Sequence, residues 1–155
     1  MRSGEHFALV SDAGTPGISD PGYALVSRTQ AAALEIEVIP GPSAFLAALS
    51  ASGLPINQFV YLGFLPQKKG RQTLLLSLPD EKRTIVFYES VHRIERTLQD
   101  LATYLESQPN RVVVIARELT KMHEEVVSTS VKDLPDTAKN MTKKGEFVVV
   151  IGPVR

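Results

Sequence analysis

Four short runs constrain this chain most: Phe7-Ala8-Leu9-Val10, Thr84-Ile85-Val86-Phe87-Tyr88, Val112-Val113-Val114-Ile115-Ala116 and Phe147-Val148-Val149-Val150-Ile151. Their apolar residues are continuous rather than alternating, and β-branched side chains are frequent. A strand with one wet face would alternate, so these read as strands covered on both faces by helices. Ile36-Glu37-Val38-Ile39, Phe59-Val60-Tyr61-Leu62 and Glu124-Glu125-Val126-Val127-Ser128-Thr129 are weaker strand candidates. Helical patterns lie between them. Residues 22–35 are Ala-rich, and residues 43–52 begin at Ser43, a residue of N-cap type. Residues 90–106 begin at Ser90 and space Ile94, Leu98, Leu101 and Leu105 helically before Pro109. Residues 70–78 and 130–143 are shorter helical patterns. Strands alternating with helices predict an α/β fold.

Composition narrows the function. Among 155 residues, Lys+Arg 17 balance Asp+Glu 17, which excludes a strongly basic nucleic-acid-binding tail but not a clustered basic surface. Cys 0 excludes a disulfide scaffold, a thiolate nucleophile and a Cys-based metal site. No apolar run reaches the ~18 residues of a membrane helix. The start of the chain is polar, so the expected setting is soluble and cytoplasmic, away from membranes. His6, His92 and His123 are far apart in sequence, so no metal is expected. Ser52-Gly53-Leu54-Pro55-Ile56-Asn57 reads as a linker, dividing the chain into residues 1–53 and 54–155. The first part holds about two strands, too few for an independent sheet. It is expected to be the back end of one α/β domain, followed by a complete second one.

Two Gly/Pro loops carry the strongest functional signal. Ser11-Asp12-Ala13-Gly14-Thr15-Pro16-Gly17-Ile18-Ser19-Asp20-Pro21-Gly22 leaves a predicted strand, and Val38-Ile39-Pro40-Gly41-Pro42-Ser43-Ala44 runs from a second strand into a helix. Open α/β sheets bind ligands beyond the carboxyl ends of strands. Glycine permits close backbone approach and proline stiffens the path, so such loops present main-chain groups at fixed positions. Ordinary turns would look the same singly; two in succession favour a shared ligand edge. Neither loop is a Walker or dinucleotide fingerprint.

In the second half, Glu89, Arg93, Arg117 and Glu118 follow two of the strands. They form either a salt-bridged network that orders loops or the lining of a ligand site. Lys68-Lys69-Gly70-Arg71 is the best basic cluster, suited to phosphates or merely to solubility. No nucleophile or general base stands out, so the catalytic residues are not assigned. The pattern is that of a platform for a reactive cofactor, where orientation does much of the work.

The stretches VSDAGTPGISDPG, VIPGPSA, FVYLGFLPQKKGR, FYESVHR, ARELTKMHEE and GEFVVVIGP together resemble the tetrapyrrole (corrin/porphyrin) methylase superfamily. They are most similar to its bacterial branch that methylates a ribose 2′-hydroxyl of a cytidine in 16S ribosomal RNA. The resemblance runs from about Ala8 to Ile151. It implies mixed sheets flanked by helices, two domains with the first truncated, and S-adenosyl-L-methionine folded between them. It also implies a homodimer acting on 16S rRNA in the small ribosomal subunit. By the resemblance, Asp12, Ala13, Gly14, Gly17, Ser43, Ala44, Glu89, Glu118 and Leu119 face the cofactor, those contacts being largely main-chain. Lys68, Lys69, Arg71 and Arg93 are expected on the RNA side. Val91 stands where the family has Pro, and the family's first strand and its Gly-Asn loop are absent. A fragment of this kind is expected to be inactive alone. The rival readings are a corrin or porphyrin methylase and a non-catalytic dimerising module.

Overall fold

A computed structural model describes residues 4–154. The chain forms two compact units, one ending at Ser43 and one beginning at Ala44. The first unit contains helix α1 (Tyr23–Ala31) and the two Gly/Pro loops. The runs Phe7–Val10 and Ile36–Ile39, expected as strands, are not strands. A strand is held by its ladder, and neither run pairs with a neighbour among the described residues. Their side chains are accordingly open to solvent: Phe7 is 65% exposed, Val10 80% and Val38 77%.

The second unit is built on one five-stranded sheet, in the order β1-β2-β5-β3-β4. The strands are β1 (Phe59–Phe64), β2 (Thr84–Glu89), β3 (Val112–Arg117), β4 (Glu125–Ser130) and β5 (Phe147–Ile151). The last strand in sequence lies in the centre, antiparallel to both β2 and β3, while β1 and β2 run parallel. This place accounts for its sequence, since all five residues of β5 are buried. Edge strand β4 keeps a partly polar, alternating pattern. The other edge strand, β1, slips register between Tyr61 and Phe64, where Gly63 takes φ +63°.

Helices cover both faces. Helices α3 (Arg71–Ser77), α4 (Ile94–Tyr104) and α5 (Leu134–Asn140) bury Leu75, Ile94, Leu98, Leu101 and Leu134 against Ile85, Phe87, Val113, Ile115, Val149 and Ile151. On the opposite face, helix α2 (Ala44–Ala51) packs Phe45, Ala48 and Leu49 on Val86, Val114, Ala116, Val148 and Val150. Each fully buried Leu or Phe contributes roughly 1.5–3 kcal/mol, so alternate residues of one strand serve two cores. The sequence-based division at 53/54 falls after α2, whereas the compact units part before it. The apolar stripe of α2 is what ties it to the second unit.

Two expected caps are replaced. The Ser43 hydroxyl makes no hydrogen bond among the described residues. The Phe45 amide in the first turn of α2 instead donates to the Tyr88 hydroxyl at 3.2 Å. Phe45 stacks on Tyr61 with centroids 4.3 Å apart, and Tyr88 meets Tyr61 edge-on at 5.8 Å, which fixes that hydroxyl. Similarly, α4 begins at Ile94 rather than at Ser90, and the Ser90 carbonyl accepts from the Arg93 and Ile94 amides in the preceding turn.

Candidate functional site

In the first unit the two Gly/Pro loops meet. Thr15 Oγ1 donates to the Pro42 carbonyl at 3.0 Å, and a Cβ on Gly41 would lie 3.0 Å from that same hydroxyl. Ser11 Oγ donates to the Gly14 carbonyl at 2.9 Å, closing the turn around Asp12 and Ala13. Gly14 and Gly17 take φ of +77° and +82°, a region that favours glycine. The structure thus gathers Asp12, Ala13, Gly14, Gly17 and Ser43 into one corner. Asp12, Ala13 and Gly14 are exposed, while Ser43 Oγ is buried without a protein partner. Buried hydroxyls are nearly always paired, so Ser43 has spare capacity for a polar ligand group. Thr15, which ties the corner, carried no signal in sequence beyond lying inside the loop.

In the second unit one end of the sheet collects Glu89, Arg117 and Glu118. Glu89 pairs with Phe147, and Phe147 pairs in turn with Arg117, so the ends of β2 and β3 flank the start of β5. The Glu89 side chain does not face solvent. Its Oε1 accepts from the Ser90 amide at 2.7 Å and the Arg93 guanidinium at 2.9 Å; its Oε2 accepts from Thr97 Oγ1 at 2.7 Å. Arg71 Nη2 donates to Thr97 Oγ1 at 3.0 Å and to Asp100 Oδ2 at 2.8 Å. Arg93 Nη1 donates to the Leu65 carbonyl at 2.9 Å. With its carboxylate turned inward, Glu89 is left with its main chain at the sheet's end. Ala44, at the start of α2, is exposed.

Of the four cations expected toward RNA, Lys68 and Lys69 are exposed, whereas Arg71 is buried and Arg93 half-buried in this network. Thr97 and Asp100 were missed in sequence. The available signal was their helical spacing from Arg93, which sets all three on one side of α4.

The loop after β3 forms a second knot. The Glu118 amide donates to the Glu146 carbonyl at 3.0 Å, and the Glu146 amide returns a bond to Glu118 Oε1 at 2.9 Å. Lys121 Nζ bridges Glu118 at 3.0 Å and Glu146 at 2.8 Å. Glu118 and Thr120 hold φ of +49° and +65°, unusual for side-chain-bearing residues. A Cβ on Gly145 would lie 2.5 Å from Glu118 Cγ, so only glycine lets these loops close. Leu119 packs on the face covered by α2.

The Glu146 amide and then Lys121 hold the Glu118 carboxyl below the usual carboxylate range, and the Glu146 and Glu118 carboxylates raise Lys121. A folded value below the unfolded one makes the Glu118 contribution complete above the ordinary glutamate range. It is lost as pH falls through the folded value. Acidification is expected to release the Glu146 amide with a midpoint below that of an exposed glutamate, read from its proton shift by NMR. A midpoint in the ordinary range would show that the bond does not form.

Among the described residues no helix is long and apolar enough to cross a membrane. Residues 1–135 match the tetrapyrrole (corrin/porphyrin) methylases, and the chain belongs to that family. It is 50% identical over 154 residues to the ribosomal RNA small subunit methyltransferase I of Xylella fastidiosa, covering 97% of this chain and 56% of the relative. The protein of the same name from Thermotoga maritima is 43% identical over 151 residues, covering 97% of this chain and 67% of the relative. The crystal structure of the methyltransferase CobJ superposes with a TM-score of 0.62 at 25% identity, over 90% of this chain and 62% of that one. The chain spans about half the length of most curated relatives it matches.

Proposed function

We propose that this chain belongs to an enzyme transferring a methyl group from S-adenosyl-L-methionine to a cytidine ribose 2′-hydroxyl of 16S rRNA in the small ribosomal subunit. The observation that carries the reading is 50% identity over nearly the whole chain to a ribosomal RNA methyltransferase, against 25% to CobJ. The cytoplasm and a homodimer are the setting that goes with it.

The residues present fit the cofactor. The unpaired Ser43 hydroxyl and the exposed residues Asp12, Ala13, Gly14, Gly17 and Ala44 offer small, polar, closely approachable groups. Within the second unit, the main chain of Glu89 and the loop of Glu118 and Leu119 are the positions that the family resemblance turns toward the cofactor. When bound, the cofactor supplies an activated methyl group on a sulfonium. The chain's part is to hold and orient it, and orientation alone is worth several kcal/mol in a displacement reaction. Lys68 and Lys69 are free to meet a phosphate backbone.

Calorimetric titration of this chain with S-adenosyl-L-methionine and S-adenosylhomocysteine tests the first part, with saturable binding of both expected. Small ribosomal subunits incubated with labelled cofactor and a longer form of the protein test the second. The expected product is label in 2′-O-methylcytidine after nuclease digestion. Label confined to tetrapyrrole pigments, or a chain that ignores both ligands, overturns the reading.

A further inference from the structure

We infer that Thr97 and Arg71 are positioning residues for cofactor binding, acting through Glu89. The inference rests on the reading that the Glu89 main chain stands beside the cofactor.

The chemistry of one hydroxyl carries it. Thr97 Oγ1 has a single proton and two lone pairs. It lies 3.0 Å from Arg71 Nη2, which can only donate, so one lone pair is taken. Its proton is therefore left to the Glu89 Oε2, at 2.7 Å. Asp100 holds the Arg71 guanidinium through both Nε at 3.2 Å and Nη2 at 2.8 Å, which sets the direction of the whole chain of bonds. The other oxygen of Glu89 accepts from the amide of its own neighbour, Ser90. Fixing one carboxylate oxygen thus fixes the other, and with it the peptide plane joining Glu89 to Ser90.

That peptide lies just where β2 ends. Glu89 is the last residue of the β2–β5 ladder, and Ser90 opens the turn into α4. Without the carboxylate bond, the turn would keep the Ser90 carbonyl, which accepts from the Arg93 and Ile94 amides, and the 3.3 Å bond from Arg93 Nε to Ser90 Oγ, but the Ser90 amide would lose its acceptor. Thr97 and Glu89 are both buried, at 0% and 1% exposure, so water cannot replace the missing partner. Arg71 therefore serves the corner through the same side of α4 that meets Glu89, rather than facing outward with Lys68 and Lys69.

The test uses the whole chain with Thr97→Val and Thr97→Ser. Two quantities are read: the calorimetric affinity for S-adenosylhomocysteine, and hydrogen exchange at the Ser90 amide without ligand. Thr97→Val is expected to bind about tenfold more weakly and to exchange Ser90 faster, while Thr97→Ser stays within about twofold of the parent. Should Thr97→Val fail to fold, Asp100→Asn, which loosens Arg71 from the outside, is expected to shift both readouts the same way. Unchanged Ser90 exchange and unchanged affinity in a folded Thr97→Val overturn the inference, as does a Thr97→Ser equally weakened. A parent chain that binds no ligand overturns the functional reading instead, and Ser90 exchange then decides the bond relay by itself.

Discussion

Arg111→Ala is expected to lower the unfolding free energy by about 3 kcal/mol, the largest effect of any single polar residue in the second unit. Arg111 is 6% exposed and precedes β3. Its Nε donates to the Gly152 carbonyl at 2.7 Å, Nη1 to the Leu78 carbonyl at 3.0 Å and to Gln108 Oε1 at 2.9 Å, and Nη2 to the Glu81 carbonyl at 2.9 Å. Three separate segments are therefore fastened to one side chain: the turn after α3, the entry to β2 and the exit from β5. Burial pushes the guanidinium's proton affinity down, and the Glu81 charge opposes this. Alanine would take the donor from the Gly152 and Glu81 carbonyls, each at a cost of about 1–3 kcal/mol, reduced where the cavity admits water, while the Leu78 carbonyl keeps the Glu81 amide at 3.3 Å. Lysine, with one compact head group, cannot span three carbonyls and is expected to recover less than half. Urea denaturation should show a lower midpoint with an unchanged slope. Coincident curves for parent and Arg111→Ala would show that the clamp carries no stability.

The legible part of the fold was the part whose strands pair with one another in the five-stranded sheet. The three continuous runs at Thr84, Val112 and Phe147 became β2, β3 and β5, and the weaker candidates at Phe59 and Glu124 became the two edge strands. A run such as Phe7–Val10 looks the same in sequence, but apolarity specifies burial, not a neighbour to hydrogen-bond with. Among the described residues it pairs with no strand, and no local pattern reports that. The same limit applied to the site. The Gly/Pro loops were visible because glycine and proline write backbone geometry into the sequence. That Arg71 lies under α4 was not visible, because Lys68-Lys69-Gly70-Arg71 reads as one solvated cluster. Only the tertiary placement of Asp100 and Thr97 separates its last member from the rest. Likewise, Ser43 had the residue type of a cap, but Tyr88, far away in sequence, takes the amide that it would have taken.

Glu89 gives the second large effect, and its two simplest replacements separate charge from geometry. Glu89→Ala is expected to cost about 2–3 kcal/mol, below the usual range for breaking a buried pair. The discount follows from Arg93, whose side chain is 22% exposed and keeps the Leu65 carbonyl and Ser90 Oγ as acceptors. The Thr97 hydroxyl and the Ser90 amide have no such relief. Glu89→Gln keeps the shape but replaces one acceptor oxygen with an NH2 donor. Turned toward Ser90 and Arg93, that donor meets two others; turned toward Thr97, it leaves the hydroxyl proton without an acceptor, since Arg71 already donates there. A cost of about 1–2 kcal/mol is expected for either orientation. The double variant Glu89→Gln with Thr97→Val removes both ends of one bond, so its cost should fall short of the sum of the singles by about 1 kcal/mol. Strict additivity in denaturant midpoints would mean that the two side chains act on the corner independently, and that the 2.7 Å contact between them does not couple α4 to the end of β2.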